Sequence, residues 1–374
     1  ATFTANGYSF RITYNTTSVV LTALEAPAIT TQPTSSTVLA GDTGTFTAAA
    51  SGTPTPTVQW QIRTNGGASW NDISGATSTT YSFTTVSGDN GNQYRAVFTN
   101  TVGAATTDPA TLTVNYAPSV TQNPSSSTVN SGSTASFTAA ATGNPTSTIQ
   151  WQVSTNGGAS WSNISGATST TYSFTTVSGD NGNQYRAVFT NTVGSATSSA
   201  AVLSVVTLDV SRGQVQRSYV RYLDITTGQG SDASQIVSSS RIRLRKADLN
   251  GNGSVNVPLT GLLSANGANI SVDFGAAGIQ NSRNTNGGDG YYTLELDLDN
   301  DTVFETSLRF YRLLGDVNGD KQVNSADQTA VTAASGTSNP QYDLNGDGIV
   351  NSTDVLMVRR ALGRRLASGL VVDD

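Results

Sequence analysis

Apolar and polar residues alternate with a period of two along most of this chain, the spacing of half-buried β-strands. Phe46, Ala48 and Ala50 point to one side, as do Val58, Trp60 and Ile62, and again Tyr94, Ala96 and Phe98. Asn65-Gly66, between two of these stretches, predicts a two-residue type I′ hairpin, because both residues tolerate positive φ. Helical spacing is confined to the C-terminal end, where Ala326–Ala334 and Val355–Leu362 read as helices.

The strand pattern recurs. Residues Trp60–Gly103 return almost unchanged as Trp151–Gly194, at an offset of 91 residues that also maps Pro27 onto Pro118 and Pro33 onto Pro124. The unit spans 26–116 and again 117–206, with about seven short strands in each copy, which suits a β-sandwich. Near-identity of the copies favours a spacer made by duplication over two binding sites, which would diverge. Trp60 and Trp151 read as core, and Trp70 and Trp161 as packing residues, with carbohydrate stacking as the alternative for the second pair.

Residues 1–25 hold a second hairpin signal, Asn6-Gly7, and a short apolar strand, Ser18–Thr22. Three such strands bury too little to stand alone. They read as a cap or last rung on an upstream β-structure, or as a strand exchanged with a neighbouring subunit, which would build a filament. Ala1 opens directly into strand sequence, which reads as the result of a removed leader or, the favoured reading, as a fragment of a longer protein.

From 207 to 312 the alternation continues through Val215–Ile225, Ser240–Arg245, Tyr291–Leu298 and Ser307–Leu313, and predicts a further β-sandwich. Two acidic turns lie within it. Asp297, Asp299 and Asp301 stand at alternate positions with Glu305 beyond, a calcium turn or a solvated hairpin. Asp248, Asn250 and Asn252 open like a calcium loop, but the twelfth position is Leu259.

Composition narrows the chemistry. The chain has no cysteine and no histidine, which removes thiolate nucleophiles, Cys/His zinc sites and Ser-His-Asp catalysis, and leaves oxygen ligands for hard cations. Charged residues make up 12% of it, with two lysines, too few cations for nucleic-acid binding. No apolar run reaches the length of a membrane span. Nineteen of the 25 acidic residues lie from Asp209 onward, and this skew, with the Thr- and Val-rich strands, reads as extracellular or cell-surface.

The C-terminal acids fall into two loops, 27 residues apart. Asp316, Asn318, Asp320, Gln322, Asn324 and Asp327 occupy positions 1, 3, 5, 7, 9 and 12 of the first; Asp343, Asn345, Asp347, Ile349, Asn351 and Asp354 occupy those of the second. Calcium needs six to eight oxygens, and a 12-residue loop supplies them from these positions, Gln322 and Ile349 through their carbonyls. Position 6 requires a sharp turn; Gly348 suits it and Lys321 does not. Val323 and Val350, at position 8, are expected to pair the loops and enter the core. The acid pair Glu295 and Glu305 is better explained by a calcium turn than by glycoside hydrolysis.

On these residues two resemblances rest. The repeats resemble bacterial immunoglobulin-like repeats of surface proteins, with Trp60 and Trp151 at the strand-C tryptophan, Tyr94 and Tyr185 at the tyrosine corner, and Ala48/Ala96 and Ala139/Ala187 at the disulfide positions. The paired loops, with Asp at position 12, resemble the duplicated calcium motif of type I dockerins, over 313–374. The wording around them is similar to that of planctomycete extracellular proteins. The dockerin resemblance implies Ca2+ as cofactor and a cohesin-type partner contacted by Ser325, Ala326, Ser352 and Thr353. The expected protein is mainly β, with tandem immunoglobulin-like sandwiches, a further sandwich and a small α-helical dockerin-like module. The expected function is a non-enzymatic surface or adhesive segment, with fibres as an assembled form. The alternative is the non-catalytic tail of a polysaccharide-degrading enzyme.

Overall fold

Three strands run unbroken across the places where one β-module hands over to the next: Val19–Thr31, Ala110–Gln122 and Ala201–Val210. The boundaries read from the sequence at 25/26, 116/117 and 206/207 all fall inside them. The computed structural model describes residues 2–5, 8–212, 220–228, 232–276, 278–279, 286–298, 300–304 and 306–368, with the side chains of residues 5, 8 and 9 left out. The turn Asn6-Gly7 and much of Val215–Ile225 lie outside these residues. The chain forms two compact units, 1–121 with 140–149 and 188–197, and 122–139 with 150–187 and 198–374. The second repeat contributes to both.

In the first unit, the strands Thr2–Ala5, Tyr8–Tyr14 and Val19–Thr31 form an antiparallel meander, and the last continues into the first sandwich by pairing with Ala49–Thr53. The main sheet runs Ala140–Asn144, Ala110–Gln122, Gln93–Thr99, Thr57–Arg63, Asn71–Asp72, with Ser36–Leu39 parallel to Ala110–Gln122. Thr43–Thr47 pairs with Thr80–Thr84 in a separate two-stranded sheet. Period-two alternation sends Phe46, Ala48, Trp60, Tyr94, Ala96 and Leu112 into one core. Trp60 is fully buried, and its indole N–H donates to the Ser78 carbonyl at 2.9 Å, as a buried indole requires. Ala48 and Ala96 lie in the same core, both fully buried.

Two details depart from the sequence reading or decide it. Asn65-Gly66 is not a two-residue hairpin: Gly66 takes φ 73°, Gly67 N–H closes on the Thr64 carbonyl, and pairing resumes only at Asn71. Asn65 N–H instead donates to Asn92 Oδ1, so a tertiary bond sets the loop. The Arg95 guanidinium lies 4.2 Å from the centre of the Trp70 ring. Arg186 sits 4.1 Å over Trp161 in the second unit, so each of these rings carries a cation–π contact. An asparagine braces each of two module junctions: Asn100 Nδ2 donates to the carbonyls of Glu25 and Pro54, and Asn191 Nδ2 to those of Tyr116 and Pro145.

The second unit reuses Ala201–Val210 twice. It is the last strand of the second repeat and the first of the next sandwich, in the order Ser162–Asn163, Thr148–Ser154, Gln184–Thr190, Ala201–Val210, Tyr222–Thr226, Asn269–Asp273, Leu263–Asn266. Facing it is the sheet Val255–Val257, Ile242–Ala247, Gly290–Leu296, Thr306–Arg312. Leu208, Leu223, Ile270, Leu244, Tyr292 and Phe310 meet between the sheets. The short helix α1, Ala233–Ser238, starts on the Asp232 N-cap and buries Ala233 and Ile236.

Two more helices complete the unit, α2 (Ser325–Ala333) and α3 (Ser352–Ala361). Their core of Val323, Val331, Leu344, Val350 and Val358 is continuous with Tyr291 and Tyr311 on the outer face of the sandwich. Asp289 holds the joint. It pairs with Arg312 of the last sandwich strand and with Arg364, which follows α3, and accepts the Leu314 amide at 2.9 Å. Arg312 is 1% exposed, so each charge depends on the others.

Asp289→Ala leaves the Arg312 charge buried without its acid and is expected to destabilise this unit by about 3–5 kcal/mol. The double variant Asp289→Leu/Arg312→Met is expected to regain most of it. Chemical denaturation followed by circular dichroism checks both.

Candidate metal centre

Each loop is organised by its first aspartate. Asp316 Oδ1 accepts the Gly319 amide at 2.7 Å and Oδ2 the Lys321 amide at 3.1 Å. Asp343 repeats this with Gly346 at 2.6 Å and Gly348 at 2.9 Å. Further round, Asp320 accepts the Gln322 amide and Asp347 the Ile349 amide. To bring these amides inward the backbone turns left-handed at positions 4 and 6: Gly319, Gly346, Gly348 and also Lys321, at φ 69°. Lys321 thus holds the conformation that its loop demands, at the steric cost expected for a residue with a Cβ.

The twelfth residue serves loop and helix together. Asp327 Oδ1 accepts the Val317 amide at 2.9 Å and Oδ2 the Asn324 amide at 2.9 Å, closing a capping box with the N-cap Asn324 of α2. Asp354 does the same with Leu344 and Asn351 at the start of α3. Asn324 and Asn351, read as position-9 donors, are therefore also helix caps. Ser325, Ala326, Ser352 and Thr353 stand exposed in the first turns of the two helices.

Val323 and Val350 enter the core, as expected, but they do not pair with each other. Val323 exchanges backbone bonds with Gly363 and Arg364, after α3, and Val350 with Gly336 and Thr337, after α2. Each loop thus clasps the tail of the other half's helix, an exchange that an offset of 27 reproduces bond for bond. The loop-to-loop pairing read from the sequence is replaced because Gly336 and Gly363, at φ 86° and 82°, turn the chain back onto the opposite loop.

The electrostatics suit a cation. Asp316, Asp327 and Asp354 are fully buried and Asp343 is 8% exposed. Among the described residues, Asp327 and Asp354 accept hydrogen bonds from backbone amides alone. Burial pushes the Asp316 carboxyl up to about 6, against the Gly319 amide and the Tyr311 hydroxyl, and the charge of Asp327 adds to the rise. Among the described residues, no three acidic side chains are arranged to hold an ion by themselves, so each loop depends on amide and carbonyl oxygens beside its carboxylates. A hard divalent cation fits such all-oxygen donor sets and supplies the missing counter-charge.

The acidic turn in the sandwich follows the same plan. Asp297, 3% exposed, accepts the amides of Asn300 at 2.7 Å and Thr302 at 3.2 Å, and Asp301 accepts that of Val303 at 2.8 Å. Asn300 and Thr302 take φ 70° and 75°, matching positions 4 and 6. Asp299 and Glu305 lie outside the described residues. The Asp248 turn differs: one oxygen, Oδ1, takes both the Asn250 and Asn252 amides.

Tyr311 was missed by the sequence reading. Its hydroxyl donates toward Asp316 Oδ2 at 3.0 Å and the Gly319 carbonyl at 2.6 Å. Alternation places it on the outer, solvent face of its strand, and nothing local marks it as covered.

Comparison with known proteins finds matches to three stretches of the chain. The type I dockerin domain model matches residues 314–363, and the immunoglobulin I-set domain model matches 27–114. A domain of unknown function matches 120–210. Endoglucanase C of Cellulomonas fimi is 47% identical over 181 residues, which are 48% of this chain. The chain spans 16% of the length of that relative. Among solved structures, the DIP-gamma IG1+IG2 pair is 16% identical with a TM-score of 0.38, covering 48% of this chain and 97% of that one. The tandem Ig repeats of Dlar are 26% identical with a TM-score of 0.21, covering 48% and 98%. The chain is mainly β, with immunoglobulin-like sandwiches and a C-terminal segment of type I dockerin character, and the dockerin and I-set classes are non-catalytic. Among the described residues no helix is long and apolar enough to cross a membrane.

A Cβ at Gly348 would meet open space, so Gly348→Ala changes only the backbone term. It is expected to cost about 1–2 kcal/mol. Lys321→Ala, at a position already in that conformation with a Cβ, is expected to change backbone stability little. Thermal melting in EDTA compares the two.

Proposed function

We propose that this chain is a non-catalytic, exported spacer and docking segment, whose C-terminal module is folded around calcium and presents a protein-binding surface. The observation that carries this is the pair of loops with matching hydrogen bonds and buried carboxylates, within a segment of type I dockerin character. Asp316, Asn318, Asp320, the Gln322 carbonyl, Asn324 and Asp327 would hold one ion. Asp343, Asn345, Asp347, the Ile349 carbonyl, Asn351 and Asp354 would hold the other. Bound calcium supplies the positive charge that lets these carboxylates stay ionised inside the module. Asp297, Asp299 and Asp301 are proposed as the donors of a third, turn-bound ion, on the strength of the hydrogen-bond pattern that Asp297 and Asp301 share with the loops.

Ser325, Ala326, Ser352 and Thr353 are the proposed contacts to a cohesin-type partner. Of the two parent proteins that such a segment suits, a surface protein and a secreted enzyme, the second draws support from the similarity to Endoglucanase C. There the chain would be the accessory tail of a polysaccharide-degrading enzyme. In the first, the sandwiches would form an adhesive or structural stalk, with fibres as its assembled form.

Calorimetric titration of the full chain with calcium is expected to show at least two ions. Saturation at 100 times Kd is expected to stabilise the module by about 3 kcal/mol over the EDTA form. Melting indifferent to EDTA defeats the calcium reading. A third ion that disappears in Asp301→Asn supports the turn; a stoichiometry of two, unchanged by that variant, removes it. A recombinant type I cohesin is expected to bind only in calcium, and Ser352→Arg/Thr353→Arg to weaken that binding at least tenfold.

A further inference from the structure

The first loop is braced by a residue from outside the helical module. Tyr311 belongs to the last strand of the preceding sandwich, Thr306–Arg312, and is 2% exposed. Its single hydroxyl hydrogen is shared between the Gly319 carbonyl at 2.6 Å and Asp316 Oδ2 at 3.0 Å, where the Lys321 amide also donates at 3.1 Å. A carboxylate oxygen offers two lone pairs, so Oδ2 is filled, while Oδ1, taking the Gly319 amide at 2.7 Å, keeps one. The position 27 residues after Tyr311 is Ser338, so the second half carries no phenol at the equivalent place.

The same joint ties the other side of that loop to the sandwich. The Arg364 carbonyl accepts the Val323 amide at 2.8 Å, and the Arg364 guanidinium meets Asp289. Beyond it, the Ala367 carbonyl accepts the Tyr291 hydroxyl at 2.7 Å and its amide donates to the Leu249 carbonyl at 3.0 Å.

We propose that Tyr311 is a positioning residue for the first calcium ion, so that ion binding at the first loop and seating of the module on the sandwich reinforce each other. This rests on the calcium reading above. A ring alone would suffice to fill the joint. The hydroxyl meets two atoms of the first loop, the Gly319 carbonyl and the Asp316 carboxylate, and its contact with Oδ2 would leave Oδ1 of Asp316 for the ion. Because the brace comes from one body and the ligand from the other, binding and seating share a coupling free energy, which is reciprocal.

Tyr311→Phe keeps the ring and removes the hydroxyl. In calcium titrations of the full chain it is expected to weaken one site about tenfold, the scale of one hydrogen bond to a charged group, and to leave the other unchanged. Hydrogen exchange provides the reciprocal readout. Calcium is expected to raise protection of the Thr306–Arg312 amides in the wild type. The rise is expected to be lost in Tyr311→Phe and in Asp320→Ala, whose side chain is exposed, and kept in Asp347→Ala. Unchanged affinity at both sites in Tyr311→Phe overturns the proposal, as does a loss of melting temperature that is equal with and without calcium. A wild type that binds no calcium overturns the calcium reading itself, and that result is separate from the other two.

Discussion

A carboxylate taken out of water must be given donors or a counter-charge, and the C-terminal third of this chain is arranged around that requirement. Asp316 and Asp343 each draw two amides inward, and this forces the left-handed turns at positions 4 and 6. Asp327 and Asp354 then close the loops through Oδ1 and, through Oδ2 of the same carboxylates, start α2 and α3. The helices carry Val331 and Val358 into the core only because these caps fix where they begin. Loop, cap and core thus depend on one another, and their ionised form is tolerable only where donors or a counter-charge reach the buried carboxylates.

The β-portion solves a different problem with little charge. With no cysteine, the sandwiches are held by interior packing: fully buried Ala48 and Ala96 share the core with fully buried Trp60. Strands run through the module edges, and the Asn100 and Asn191 amides each satisfy carbonyls on both sides of a junction. Matching interior residues at an offset of 91, Trp60 with Trp151 and Tyr94 with Tyr185 among them, give both copies the same core.

What was legible in the sequence was whatever a period or a spacing encodes. Strand alternation identified Phe46, Trp60 and Tyr94 as core, and the 1-3-5-7-9-12 spacing located the two loops. What escaped was set by contacts distant in the chain. Asn65-Gly66 carries the composition of a tight hairpin, yet Asn92, just before the strand Gln93–Thr99, captures its amide and opens the loop. Val323 and Val350 have the expected burial but the wrong expected partners, because Gly336 and Gly363 redirect two tails. Tyr311 sits where alternation says solvent, and only the helical module, packed on that face, turns it into an interior residue.

The Tyr311 case bears on how the two kinds of structure join. A helical module of this size has a small core of its own, and its loops and tails would ordinarily be its weakest parts. Here the sandwich supplies two tyrosine rings, a buried acid and a hydroxyl to the side of the module that holds Lys321, the position where the loop's backbone is most strained. The second loop has the glycine its turn needs. Support therefore falls on the half that departs from the ideal loop sequence, and a strained residue can persist there because its surroundings over-determine its conformation.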